Sequence, residues 1–292
     1  MTALPTSLTY FGSLSGISQI ITKSALPLVE AHQMNDAFLP DRNSPFELTS
    51  KELFDVGVKF ISHAILGKSA PRGQPNHSLQ KAIMRWRMEN RFNDESEVRE
   101  ALQGLLPAMV EQSLSEAKTC HANWIEYVSG KRIVPLFEKF QSLAMWEERG
   151  FSLKGAAIKF KCDEDSVFNQ CTEVNYTKSP ASIINVQSYV EHMTGLIPEV
   201  EFNPQNILLT QNYERRQYKE WRLLSDSTEQ WLEFPFKLIQ SVYLGALVSE
   251  SNAEKLTNHL AKLNPKINVY HSHCKTSEFE LEFDKINESE GE

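Results

Sequence analysis

Cysteine is scarce in this chain and scattered where it occurs, at Cys120, Cys162, Cys171 and Cys274. No two stand at the close spacing of a zinc or redox pair, so both classes drop out and reduced thiols are expected. Cys162 and Cys171 could meet across neighbouring strands, but nothing in the sequence demands it. Glycine is thin as well, and Gly12 and Gly16 make neither a Walker loop nor a dinucleotide fingerprint. Positive charge is in deficit: 30 Lys and Arg face 38 Asp and Glu, a formal charge of −8. Broad binding to nucleic acid by phosphate neutralisation needs the opposite balance. The densest basic stretch, "RWRMENR" at 85–91, reads as the solvated face of a helix. No apolar run approaches the length that crosses a bilayer. Nor does a basic start lead into an apolar stretch, as in a secretory signal. A cytoplasmic chain with no membrane partner is the expectation. A composition of 41% hydrophobic and 23% charged residues suits a soluble globular protein, and 292 residues suffice for a real core.

Hydrophobic periodicity then divides the chain. "LTYFG" at 8–12 predicts a strand, followed by a helix on Leu14, Ile17, Ile20 and Ile21. "ALPLVEA" at 25–31 is a short extended piece, and "MNDAFLPDRNSP" at 34–45 has the chemistry of a loop. From 49 to 129 the pattern is helical. Thr49 and Glu52 form a capping box, Gly67 is a stop, and Pro107 should kink or split the helix it falls in. After 130 strands return, at 132–137, 154–162, 171–176, 217–224, 237–245, 267–273 and 279–286, with helices around 142–150, 180–194 and 251–263. The fold class predicted is α+β: one domain over 1–292 with a mixed or antiparallel β core, a helical insertion at 49–130 and a frayed acidic tail at 287–292. The β part must bring residue 10 back to residues 150–225. No internal repeat is found.

The strand "QYKEWRLL" at 217–224 holds an acid and a guanidinium two residues apart. Side chains alternate along a strand, so Glu220 and Arg222 share a face while Trp221 and Leu223 take the other. Such a face serves either a site or a buried ion pair that locks two strands together, with Asp36 as a further partner for Arg222. Asn35 and Asp36 suit a cap or turn. Trp146, in "AMWEERG", suits a core anchor, and Glu147 and Glu148 beside it a solvated face. His271 and His273 share a strand face but show no third ligand, so no metal is expected. The remaining histidines, His259 among them, are scattered and suggest no dyad with a cysteine.

Five segments occur in a characteristic order: "LTYFGS…ISQIITKSALPLVEAHQMNDAF", "AMWEERGFSLKGAAIKF", "EVNYTKSP", "YKEWRLL" and "LIQSVYLGALVSESNAEKL". In this order they resemble the bacterial family called domain of unknown function 2971, over nearly the whole chain outside the helical block. The opening of that family in turn looks like that of ADP-ribosyltransferases, in which the first strand and helix wall an NAD cleft and a later strand supplies a glutamate. The resemblance therefore implies an ADP-ribosyltransferase-like fold and NAD as substrate. It also implies a macromolecular acceptor (protein or nucleic acid) or an antitoxin partner, as in a toxin or phage-defence effector. Cleaving the nicotinamide–ribose bond builds oxocarbenium character, which a carboxylate stabilises as in glycoside hydrolysis. On this reading Glu220 is the catalytic carboxylate and Arg222 orients it or pairs with a phosphate. Tyr10, Phe11, Ser13, Asn35, Asp36 and Trp146 would shape the cofactor pocket, aromatic rings holding nicotinamide by stacking. The sequence departs from the pattern at four places. Tyr10 stands where the family has His or Lys and the transferases His or Arg; Gly12 replaces a small hydroxyl residue; Ala37 replaces Pro; and Leu39 replaces an acid. The departure at position 10 points to the alternative, a non-catalytic module that binds a nucleotide or a protein partner in the same cleft.

Overall fold

The computed structural model describes residues 3–34, 48–67, 77–163 and 166–287. The chain begins with β1 (Ser7–Gly12), α1 (Leu14–Lys23), β2 (Ala25–Pro27) and β3 (Val29–Glu30). Four helices follow: α2 (Ser50–Leu66), α3 (Ser78–Met88), α4 (Glu95–Leu102) and α5 (Leu106–Gly130). Next come β4 (Arg132–Phe137), α6 (Leu143–Glu148), β5 (Ala156–Lys161), β6 (Cys171–Glu173) and β7 (Asn175–Thr177). Then α7 (Val186–Met193), α8 (Pro204–Leu208), β8 (Thr210–Asn212), β9 (Glu220–Ser225) and β10 (Trp231–Glu233) lead to β11 (Ile239–Leu244). The last elements are α9 (Glu250–Leu263), β12 (Asn268–Cys274) and β13 (Leu281–Lys285).

The chain is α+β with a mixed sheet. Its main path runs β13-β12-β11-β5-β1-β4-β9-β6, with β3 attached to β4. Within it only β11 and β12 pair in parallel, and α9 makes the connection between them. A parallel pair needs such a crossover, whereas antiparallel neighbours need only a turn. Residue 10 does return to the later strands, since β1 lies between β5 and β4. One face of the sheet carries Leu8, Leu136, Ile158, Trp221 and Val242, and packs with α1 and α9 through Ile17, Ile21, Leu256 and Leu260. The other carries Phe11, Phe137, Ala157 and Tyr243, and packs with α6 through Met145 and Trp146.

Two compact units emerge where one domain with an insertion was expected. The first is Met1–Ala37, Ser129–Pro180 and Leu209–Glu292; the second is Phe38–Val128 with Ala181–Leu208. The second unit thus draws on a segment beyond the helical block. Tyr189, Val190 and Met193 of α7 complete a core with Leu53, Ile61, Ile83, Val98 and Leu106. Local signals for its helices hold. Thr49 and Glu52 exchange both capping-box hydrogen bonds, and Gly67 ends α2. Pro107 falls at the second position of α5, after a break between Leu102 and Leu106. There its missing N–H costs nothing, because first-turn donors have no helical acceptor. The acidic tail beyond Asn287 lies outside the described residues.

One turn stores strain. Phe151, Ser152 and Leu153 have φ of 52°, 53° and 64°, three consecutive left-handed residues, none of them glycine. Each such residue costs roughly 1–2 kcal/mol. The turn persists because the Leu153 N–H donates to the Trp146 carbonyl, while the Leu153 carbonyl accepts from Leu247 N–H. Gly245 lets this strand end approach, for a Cβ there would lie 2.2 Å from the Leu153 oxygen. Phe151 is exposed, so Phe151→Gly removes strain and little packing. Net of the extra freedom glycine gives the unfolded chain, a gain of up to about 1 kcal/mol is expected in chemical denaturation.

Candidate functional site

Glu220 opens β9 directly after Lys219, whose left-handed backbone (φ 47°) ends a 3-10 turn over Tyr213–Tyr218. Its carboxylate accepts from Arg222 Nε at 2.7 Å. The two side chains are 2% and 1% exposed, so the pair is sealed from solvent. The Glu220 N–H donates to the Tyr176 hydroxyl at 2.7 Å, and the Glu220 carbonyl accepts from Val174 N–H. Tyr176 is pushed up to about 12 by burial, against the lowering effect of the hydrogen bond from the Glu220 N–H; the Glu220 charge raises it and Arg222 lowers it by smaller amounts. Tyr176 thus belongs to the same cluster. Composition did not mark it, but it stands inside "EVNYTKSP", one of the five ordered segments.

Cross-strand partners share a face of a sheet. Thr9 stands opposite Phe137, and Phe137 opposite Glu220. Glu220 and Arg222 therefore lie on the face of Thr9 and Phe11, and Tyr10 on the other. The expectation of one open cleft walled by Tyr10 and Glu220 is corrected: the sheet itself separates them. Tyr10 packs against the core of the α1 and α9 side, and burial pushes its hydroxyl up to about 12.

The expected stacking aromatics are packed against protein. Phe11 and Trp146 meet edge to face at 5.1 Å, and Trp146 has no exposed surface. Its indole N–H donates to the Phe140 carbonyl at 2.8 Å. Neither ring offers a face to nicotinamide in this arrangement. Ser13 caps α1, its hydroxyl accepting from Gly16 N–H at 3.1 Å. Asn35 and Asp36, and with them the pairing of Asp36 with Arg222, lie outside the described residues. Glu148, expected to be solvated, instead accepts from the Tyr218 hydroxyl at 3.0 Å and pairs with Arg215 at 3.1 Å. His273 lies between Glu282 and Asp284, at 3.0 and 3.1 Å. Among the described residues no group of three His, Cys, Asp or Glu is placed to hold a metal ion. None of their helices is long and apolar enough to cross a membrane.

Two hollows open on the first unit. One of about 680 Å³ is lined by Gln141, Ser142, Glu147, Phe279 and Glu280, among others. With two carboxylates in its wall it disfavours the diphosphate of a dinucleotide. The second, about 440 Å³, runs between α1 and α9 and is lined by Ser15, Ser18, Asn252, Lys255 and His259 over Leu14 and Leu256. No local pattern in the sequence marks this group, because residues 15 and 259 become neighbours only through the fold.

Burial also sets the response to alkali. Tyr10 and Tyr176 are both raised to about 12, above the ordinary value of 10. Between these values the unfolded chain gives up protons that the native chain keeps, so stability falls as pH rises. The part that these two tyrosines contribute is whole below about pH 10 and lost progressively toward about pH 12. A tyrosinate absorbance rise that coincides with loss of circular dichroism over that window is the expected result.

Compared with protein-family models, curated proteins and solved structures, the chain matches none.

Proposed function

We propose that this chain is a non-catalytic binding module, sensing a nucleotide or engaging a protein partner, built on the ADP-ribosyltransferase-like plan that its sequence resemblance implies. The observation that carries this reading is the sealed Glu220–Arg222 pair. A carboxylate that stabilises an oxocarbenium ion must reach the ribose, and one that is 2% exposed and bonded to a guanidinium is already spent on structure. The position of Tyr10 on the opposite face supports it too, since an NAD cleft would need both groups on one side. Trp221 and Leu223, on the far side of the same strand, belong to the core. Glu220 and Arg222 then hold the strand that Tyr176 braces, and recognition falls to surfaces elsewhere.

Incubation with NAD, with and without cell extract, tests this through free nicotinamide. The expected result is no release above a protein-free control. Release that scales with protein and disappears in Glu220→Gln, with folding intact by circular dichroism, would restore the NAD-cleaving transferase.

A further inference from the structure

The hollow between α1 and α9 follows from the topology. Strands β1 and β11 both run antiparallel to β5, so they are parallel to each other. Each is followed by a helix packed on the same sheet face, α1 by Ile17, Ile20 and Ile21, α9 by Ala253, Leu256 and Leu260. The two helices therefore lie side by side and point the same way. Between them, Ser15 and Ser18 on α1 face Asn252, Lys255 and His259 on α9 across the leucine floor.

Ser15, Ser18, Asn252 and Lys255 can each donate a hydrogen bond into this lining, and no carboxylate is among its residues. In a chain of net charge −8 that is a local reversal of sign. The state of His259 is set by its neighbour. Thr22 Oγ1 donates to the Ser18 carbonyl at 2.7 Å and lies 3.0 Å from His259 Nε2. A hydroxyl has one hydrogen, already spent on Ser18, so Nε2 must be the donor to Thr22. In that tautomer Nδ1 is an acceptor, left to a hydroxyl of the ligand. Lys255 adds a point charge suited to phosphate, while Leu14 and Leu256 offer an apolar bed to the body that bears it.

We infer that this groove binds a small soluble phosphate monoester, with Lys255 as the charged contact to its phosphate, Ser15, Ser18 and Asn252 as neutral donors, and His259 Nδ1 accepting from a hydroxyl of the body that bears the phosphate. The inference rests on the binding-module reading and gives that module a ligand class. It requires no part of the Glu220 cluster.

Titrations of the full chain with inorganic phosphate and with ribose 5-phosphate, followed by amide chemical shifts, test it. Saturable shifts are expected in residues 14–18 and 252–259, with ribose 5-phosphate the tighter ligand. Lys255 is exposed, so Lys255→Glu should fold normally and weaken binding by about tenfold or more, a charge-assisted contact becoming a repulsion. His259→Gln keeps a polar group and should weaken it less. Vesicles containing phosphatidic acid form the second arm. Binding to vesicles without binding to the soluble ester overturns the assignment, as does a saturable site elsewhere or equal affinity in Lys255→Glu. Parallel nicotinamide assays keep the two readings apart. Phosphate binding together with nicotinamide release keeps the groove and ends the module reading. Neither binding nor release ends the groove and leaves the module reading standing.

Discussion

Replacing Arg222 by methionine is expected to destabilise the protein by about 3–5 kcal/mol in urea or guanidinium unfolding. Methionine fills much of the volume, so the loss reports the charge. The Glu220 carboxylate remains buried where Arg222 Nε had met it at 2.7 Å, and an uncompensated ion in a water-excluded place costs several kcal/mol. A surface ion pair gives a different magnitude. Arg85 and Glu89, both largely exposed at 3.8 Å, should contribute well under 1 kcal/mol when either is replaced. The contrast between the two pairs within one protein makes the test specific to burial.

Trp146→Ala is expected to cost a comparable amount, about 3–5 kcal/mol, from lost transfer energy and the cavity left behind. The indole is wholly buried, lies edge to face with Phe11 and approaches Phe283 at 6.2 Å. It also holds the Phe140 carbonyl, whose acceptor would be left without that donor. Trp146→Phe keeps most of the apolar area and loses the hydrogen bond, so it should cost clearly less than alanine. If Trp146 were instead a stacking platform in an open pocket, the alanine variant would be near neutral for stability and would weaken nucleotide binding.

How much of this was legible in the sequence depends on the range of the interaction. The Thr49 capping box and the break at Pro107 are written within four residues and emerged as read. The shared face of Glu220 and Arg222 follows from strand alternation alone; the ion pair read there as a lock between two strands instead joins two residues of one strand. Which face of the sheet Tyr10 shares was not legible, because it depends on the pairing of β1 with β4 and of β4 with β9. A one-residue change in either register would move Tyr10 to the other side. The recruitment of 181–208 into the helical unit depends on long-range packing, for which a period carries no address. "CTEVNY" read as one strand but serves two sheets, as β6 and β7, because the chain switches partner at Val174. The left-handed turn at 151–153 carries no glycine at the positions that need one, so turn chemistry gave no signal there. His259 is one of the scattered histidines in the sequence and gains its neighbours only where α1 lies beside α9.

Glu220 and Arg222 act as one sealed structural unit, and a double-mutant cycle over Glu220→Met, Arg222→Met and the pair measures this most directly. The expected result is a double variant more stable than Arg222→Met alone, with a coupling free energy of about 1–3 kcal/mol, because removing both charges also removes the penalty of burying either. Additive single effects within about 0.5 kcal/mol would contradict it, since the two groups would then be acting independently.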